Sequence, residues 1–385
     1  MEDAVIVAAV RSPMGRAFKG QFVQKRIDDL GADLIQALLK RVPAFDPQLL
    51  EDILIGCAMP EGEQGLNVAR NIALLAKLPL TTGAQTINRF CGSSLTAINE
   101  AAQAIMCENG EAFIAGGIES MTHVPMGGFN PSLNEKLMKP GSPAAYIGMG
   151  TTAEILAKEF RISREDQDRF ALHSHRKASS AQQQGKFKRE IVLLEVLDAA
   201  GKPQMATEDE GPRRDTSMEA LAALKPVFDV KGTVTAGNSS PLTDGGAMVL
   251  VMSKKLAKKL KLKPIAKIRS MAVSGVDPAR MGLGPVDAVS KALKRAKMKL
   301  KDIDLIEINE AFAAQTLAVV KQLEIDEKKL NVHGGAVALG HPLGASGARI
   351  MATLLSAMED RGEETGLITM CVGGGQGVAT IVERL

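Results

Sequence analysis

Tryptophan is missing from this chain, and tyrosine occurs once in 385 residues. With aromatics at 3%, the stacking platforms of single-strand nucleic-acid binders are not expected. Charge argues the same way: 47 Lys and Arg against 44 Asp and Glu leave a net charge of +3, far short of a basic binding stripe, so no nucleic acid is expected. No apolar run reaches the length of a membrane span. The first ten residues are acidic and then strand-like, without the basic start and small-residue cleavage site of an export signal. The last four, V-E-R-L, are not a peroxisomal address. The expected compartment is the cytoplasm. Cysteine is scarce as well. Cys57, Cys91, Cys107 and Cys371 form no C-x-x-C, and no His stands at metal-finger spacing from them. A zinc site and a disulfide framework are both excluded, and no metal is expected. Cys57 and Cys107 read as buried, inert thiols.

Hydrophobic content of 45% and charged content of 24% are ordinary for a globular protein. The length suits two domains or two similar halves rather than one small core. Apolar runs at Val5–Val10, Asp52–Gly56, Ala112–Ala115, Ala247–Met252, Ile303–Ile308, Leu367–Cys371 and Val378–Val382 read as strands, alternating with helical periodicity. That alternation argues for an α/β fold with a largely parallel sheet. Helices are expected at Leu30–Val42, at Leu66–Leu78, from Leu95 with Ser93 or Ser94 as cap, at Ser163–Gln183 and at Ala345–Met358. Between Glu119 and Pro241 the pattern breaks into Met-, Gly- and Pro-rich loops and short helices. Thr151-x-x-Glu154 and Thr216-x-x-Glu219 there carry the capping-box signature. His173 and His175, two apart on a charged helix, read as solvated, as does the Lys-rich stretch Lys254–Lys261.

Asp52 and Asp304, Ser93 and Ser346, and Phe113 and Leu367 are each separated by a nearly constant interval of ~250 residues, the mark of an internal duplication with an insertion in its first copy. The expected division is 1–118 with 242–264, an inserted loop domain at 119–241, and 265–385. Two five-stranded units related by a pseudo-dyad would then bring their active loops to the join.

Two turns carry the sharp chemistry. N-R-F-C-G-S-S places Cys91 between a strand and a helix, and G-A-V-A-L-G-H-P-L-G places His341 in a glycine-rich turn before another helix. The duplication makes the turns equivalent, so a cysteine and a histidine face each other as an activated nucleophile. A helix N-terminus and a nearby imidazole both favour a thiolate. Cys371 ends a strand ahead of Gly373-Gly374-Gly375-Gln376-Gly377. A strand, not a helix, follows those glycines. This excludes a dinucleotide loop and leaves backbone N–H groups for an oxyanion hole. Asn309, at a strand end in N-E-A-F-A, can orient a water or simply cap a helix.

These motifs, with V-I-V-A-A-V-R-S-P, A-G-G-I-E-S-M, T-A-G-N-S-S, N-V-H-G-G-A-V-A-L-G-H-P and M-C-V-G-G-G-Q-G, resemble the thiolase family from one end of the chain to the other. The resemblance implies duplicated βαβαβαββ halves, with five-stranded mixed sheets in αβαβα layers and an inserted loop domain. It implies an acyltransferase that cleaves 3-ketoacyl-CoA with coenzyme A as a substrate, in fatty acid β-oxidation, with no permanently bound cofactor. Cys91 would be acylated, His341 would be its base, Cys371 the second acid/base, and Asn309 the holder of an oxyanion-hole water. The N–H groups of Cys91 and Gly373 would form the other oxyanion hole. Met149, Phe228, Ser240, Met281, Ala311 and Phe312 would line the CoA thioester. A homodimer or homotetramer is implied, with association with a 3-hydroxyacyl-CoA dehydrogenase/enoyl-CoA hydratase subunit as a further partner. His333 stands where the family usually has Asn and reads as structural. Ile155 stands where Asn is common.

Acetoacetyl-CoA thiolysis run in the biosynthetic direction is the alternative activity. A condensing synthase of this fold class would carry His where Cys371 stands. An inactive interaction protein would lack one of Cys91, His341 and Cys371.

Overall fold

A computed structural model describes residues 2–198 and 200–385. In chain order the first half holds β1 (Ala4–Arg11), β2 (Gly15–Arg16), α1 (Ile27–Arg41), β3 (Asp52–Gly56), α2 (Val68–Leu75), β4 (Gly83–Ile87), α3 (Ser93–Met106) and β5 (Ala112–Glu119). The insertion adds α4 (Met149–Glu159), α5 (Arg164–Gln183), the hairpin β6 (Leu194–Leu197) and β7 (Pro203–Ala206), and α6 (Met218–Ala222). The chain returns through β8 (Thr243–Ser253) and α7 (Lys254–Lys259). The second half holds β9 (Ala266–Gly275), α8 (Gly284–Ala296), β10 (Leu305–Ile308), α9 (Ala313–Leu323), α10 (Ala336–Leu339), α11 (Ser346–Arg361), β11 (Thr365–Val372) and β12 (Gln376–Arg384).

The strands lie in the order β10-β11-β12-β9-β1-β8-β5-β3-β4, with β2 on β8. Every residue of β5 and β8 is buried, as expected of strands covered on both faces. The sheet is mixed rather than largely parallel. β3 pairs in parallel with β4 and β5, and β10 with β11, but β1–β8, β5–β8, β9–β12 and β11–β12 are antiparallel. Strand–helix alternation gives the parallel pairs. Of the antiparallel pairs, β5–β8 is joined by the insertion and β11–β12 by a tight hairpin, whereas β1–β8 and β9–β12 pair strands distant in the chain. The halves touch through two residue pairs of β1 and β9, Val5 with Lys267 and Ile6 with Ala266. In the second half the fifth strand position is reduced to the isolated bridge Ile306–Leu330.

α1 covers one face of the first-half strands, α8 covers the outer face of β9, β11 and β12, and α3 and α11 pack on each other between the halves. Leu95, Ile98, Ile350, Met351 and Leu354 share one buried cluster with residues of both sheets. Each large aliphatic buried there contributes ~1.5–3 kcal/mol. The Ala348 N–H donates to Ser94 Oγ at 3.0 Å. The first turns of the two middle helices are therefore stitched together, and the turns carrying Cys91 and His341 are brought to the join.

Several local expectations are corrected. α2 starts only at Val68, because Leu66 and Asn67 take left-handed φ. Neither Ser93 nor Ser94 caps α3. Ser93 Oγ instead accepts from the Arg89 N–H and donates to Phe90 O. Thr151 lies inside α4, and Glu154 accepts the Thr233 and Val234 N–H groups instead of closing a capping box. Ser217, not Thr216, caps α6, and the one true box of the insertion is Ser163 with Asp166. His173 is exposed but His175 is buried, and Cys107 is exposed while Cys57 is buried.

Candidate active site

Cys91 is 2% exposed at the N-terminal approach to α3. Its turn is locked by the Asn88 amide, which accepts the Phe90 N–H at 2.8 Å and donates to Ala58 O at 3.1 Å. Phe90 takes φ 43°, a strained left-handed conformation that throws Cys91 inward. Gly92 is required by a close approach: a Cβ there would lie 2.9 Å from Val372 and 3.0 Å from Val378 of the opposite half.

His341 is buried, and its backbone N–H donates to Thr243 Oγ1 at 3.1 Å. Its Nδ1 lies 2.5 Å from Ser346 Oγ, whose own hydroxyl donates to Pro342 O at 2.9 Å. Since that hydroxyl proton is committed, the imidazole donates from Nδ1 and keeps Nε2 as a lone pair. Asn309 Nδ2 points at that lone pair from 3.2 Å, and Asn309 Oδ1 is buried without a protein partner. Asn309 is therefore no helix cap. The N-cap position of α9 is Phe312, three residues on, with no side-chain capping bond.

Cys371 is buried in β11, and a Cys91 charge beside it would push its thiol up further, after burial itself. It packs with Met281, Ala311 and Phe312, against which Met149 also rests. Phe228 meets Phe312 edge to face, with ring centroids 5.8 Å apart. The Ser240 N–H donates to Ala311 O at 3.0 Å. Met281, Ala311 and Phe312 thus share a buried cluster with Cys371, and Met149, Phe228 and Ser240 touch that cluster.

Burial dominates the electrostatics. It pushes the Cys91 thiol up to about 11, against the pull of the Gly373 and Cys91 backbone N–H groups on the sulfur. It drives the His341 imidazolium down to about 3. The resting pair is a neutral thiol and a neutral imidazole, not the thiolate expected from the helix terminus, because desolvation of a charge outweighs that field.

Three contributors were not legible in the sequence. Glu119, at the end of β5, is buried, and burial raises its pKa against the donors around it. It accepts the N–H groups of Ala58, Met59 and Gly344 and the Gln64 amide at 2.7–3.2 Å, tying the loop after β3 to the His341 loop. Glu310 holds that loop from the other side, accepting from Ser174, Asn331 and the Val337 N–H. The only sequence signal was an acid placed directly after a strand and its glycines, or after Asn309. The third is a cleft of about 410 Å³, bounded by Ser239 and Pro241 at one end and carrying Arg16, Lys19 and Arg213. His175, 5% exposed, lines it too, with Nδ1 accepting the Arg213 N–H at 3.1 Å.

A buried cysteine, a histidine with Nδ1 bonded to Ser346 and a second buried cysteine are held where two duplicated α/β halves meet. Residues 4–255 match the thiolase N-terminal domain and residues 262–384 the thiolase C-terminal domain. The chain belongs to the thiolase family. It is 51% identical over 392 residues to the 3-ketoacyl-CoA thiolase of Idiomarina loihiensis, covering all of both chains. To that of Marinobacter nauticus it is 52% identical over 388 residues, covering 100% of this chain and 98% of the relative. The crystal structure of the Bacillus anthracis acetyl-CoA acetyltransferase superposes with a TM-score of 0.92 at 40% identity, covering 100% of this chain and 99% of that one.

Proposed function

We propose that this acyltransferase is a 3-ketoacyl-CoA thiolase that cleaves 3-ketoacyl-CoA with coenzyme A to acetyl-CoA and a shortened acyl-CoA, working in the cytoplasm in fatty acid β-oxidation. The observation that supports this reading is that Asn309 Nδ2 lies 3.2 Å from His341 Nε2, while a Cys91 charge bears on Cys371, itself packed with Met281, Ala311 and Phe312. His341 Nε2 takes the Cys91 proton as the thiolate forms a bond to the C3 carbonyl carbon. Asn309, through a bound water, stabilises one developing oxyanion, and the Cys91 and Gly373 N–H groups stabilise the other. The C2–C3 bond breaks, the acyl group stays on Cys91, and Cys371 protonates the acetyl-CoA enolate. The Cys371 thiolate then takes the thiol proton of incoming coenzyme A. The CoA sulfur attacks the acyl-Cys91 carbonyl, and Cys91 leaves as thiolate and recovers its proton from His341. Atoms and charges balance without a cofactor, and turnover is ping-pong. CoA-dependent loss of the 3-ketoacyl chromophore, measured with acetoacetyl-CoA and with a longer homologue, tests the assignment. No cleavage of either refutes it.

Chain length follows from the mouth of α4. Gly148 stands where relatives restricted to acetoacetyl-CoA resemble H-M-G, and leaves room in place of an imidazole. Gly150 lets the Phe228 ring lie against the helix, since a Cβ there would fall 2.2 Å from it. Substrates longer than four carbons are expected to react. A kcat/KM measurable only for acetoacetyl-CoA counts against this reading.

In our reading the insertion, residues 119–241, supplies the coenzyme cleft, with Arg16, Lys19 and Arg213 facing the phosphates. Because His175 Nδ1 is occupied by a backbone N–H, its Nε2 carries the proton. Burial holds its pKa down at about 4, so it remains a neutral donor at physiological pH. Arg213→Ala is expected to raise KM for coenzyme A about tenfold with little change in kcat, the scale of one charge-assisted contact. An unchanged KM removes this cleft from the reaction.

β4 is an open sheet edge, flanked by Leu66 at 94% and Leu80 at 77% exposure and by Phe90. Such an edge needs covering. We assign it to a second copy of the chain. Phe129, Leu137, Met138 and Tyr146, exposed on the loop before α4, are assigned to pairing of dimers or to a dehydrogenase/hydratase subunit. Light scattering is expected to return a dimer or tetramer at micromolar concentration, and a monomer overturns the assignment.

A further inference from the structure

His333 has no part in the chemistry above, yet it is built as a site rather than as core. It is 6% exposed, its Nδ1 has no partner, and Phe187 holds its ring edge-on at 6.0 Å. It forms the floor of a cleft of about 520 Å³. One wall is a stripe of α5 and its C-cap, with Arg176, Ser180 and Gln184 recurring every four residues beside Lys177. His175, on the coenzyme side, lies off this stripe. The opposite wall is the C-terminal end of α11, with Asp360 and Arg361, and Lys186 closes the cleft.

The charge is lopsided. Four cations line the space, against one carboxylate, and Asp360 is already paired with Lys186 at 3.3 Å and Arg189 at 3.6 Å. Lys177 donates to Leu330 O at 2.8 Å, and its charge also bears on the buried Glu307 and Glu310. Among the described residues, neither the Arg176 nor the Arg361 guanidinium has a carboxylate partner. Both stand exposed at the rim. A concave site of one sign focuses its field on a counter-ion. Two planar guanidinium forks, with ammonium groups between them, suit adjoining oxyanions such as those of a phosphate chain. The lining offers little apolar surface for an acyl or aromatic ligand.

We propose that this cleft binds a small polyphosphate anion, an inorganic diphosphate or the phosphate chain of a nucleotide, at a site separate from the coenzyme cleft. Both walls lead to the catalytic histidine. The segment from His333 runs through α10 to His341, and α11 begins at Ser346, the hydroxyl that accepts from His341 Nδ1, and ends at Arg361.

Isothermal titration of the full chain with inorganic diphosphate, at low ionic strength where screening is weak, tests the site. Saturable binding of one diphosphate per chain is expected. The double variant Arg176→Ala/Arg361→Ala, which alters only rim residues, is expected to bind at least about tenfold more weakly, as for lost charge-assisted contacts, while keeping wild-type thiolysis. Arg213→Ala, in the coenzyme cleft, is expected to bind diphosphate as the wild type does. ADP as a second titrant shows whether the cleft also accepts a nucleotide's phosphates. The proposal is overturned if the wild type shows no saturable binding, or if all three proteins bind alike. It is equally overturned if binding is lost in Arg213→Ala and kept in the double variant.

Discussion

Cys91→Ala is expected to abolish both acetylation of the protein by acetyl-CoA and the full thiolysis cycle, lowering turnover by roughly 10⁴-fold or more, the scale on which enzymes lose a covalent nucleophile. The turn that holds Cys91 carries no second group able to form the acyl bond. Arg89 and Phe90 flank it on one side and Gly92 and Ser93 on the other, and the Ser93 hydroxyl is committed to Arg89 and Phe90. Cys57 does not substitute. Burial, and Glu119 next to it, push its thiol well above the ordinary range. The substitution keeps the fold, since alanine fits wherever cysteine does. Peptide mass spectrometry after incubation with acetyl-CoA is expected to map one acetyl group to Cys91 in the wild type and none in the variant. An adduct confined to Cys57 or Cys107 refutes the assignment.

Cys371→Ala is expected to separate the two half-reactions. In the proposed mechanism acetylation of Cys91 needs His341, whose Ser346 and Asn309 contacts are untouched, so the variant is expected still to accept an acetyl group, though more slowly. Full thiolysis falls by about two orders of magnitude or more, the usual cost of a lost general acid/base. The thiol is pushed up by burial first and by Cys91 second. It therefore rests protonated, as the enolate step requires. Deprotonation in the second half-reaction depends on the CoA thiol arriving beside it. If Cys371→Ala turns over like the wild type, Cys371 is a core residue only. Measuring the burst of acetylation and the steady-state rate on one sample distinguishes this from misfolding, which would remove both.

Much of the frame was legible because it is written in local patterns. β3 was expected at Asp52–Gly56 and lies there, since a short apolar run between proline and glycine signals has one backbone solution. α5 spans Arg164–Gln183, within one residue of the expected Ser163–Gln183. Cys91 and His341 stood out because each sits in a glycine-bearing turn ahead of a helix, at corresponding places in a repeated unit. The mixed sheet was legible through the family resemblance but not from periodicity. Pairing direction across the insertion depends on how a return of more than a hundred residues closes, and periodicity is silent on that.

The sequence by itself determined the duplicated strand–helix order, the two reactive turns and the family. The tertiary structure alone decided three further matters. His175 spaces like a solvated residue, yet the segment carrying Arg213 folds over it and makes it a buried acceptor of the Arg213 N–H. Glu119 reads as an acid at a strand end until Ala58, Met59 and Gly344 deliver three N–H groups to it. The Cys91–His341 pair carries a helix terminus that favours charge, yet it rests neutral. Protonation is set by the desolvation summed over every neighbour in three dimensions, and that sum exists only once both halves have closed over the join.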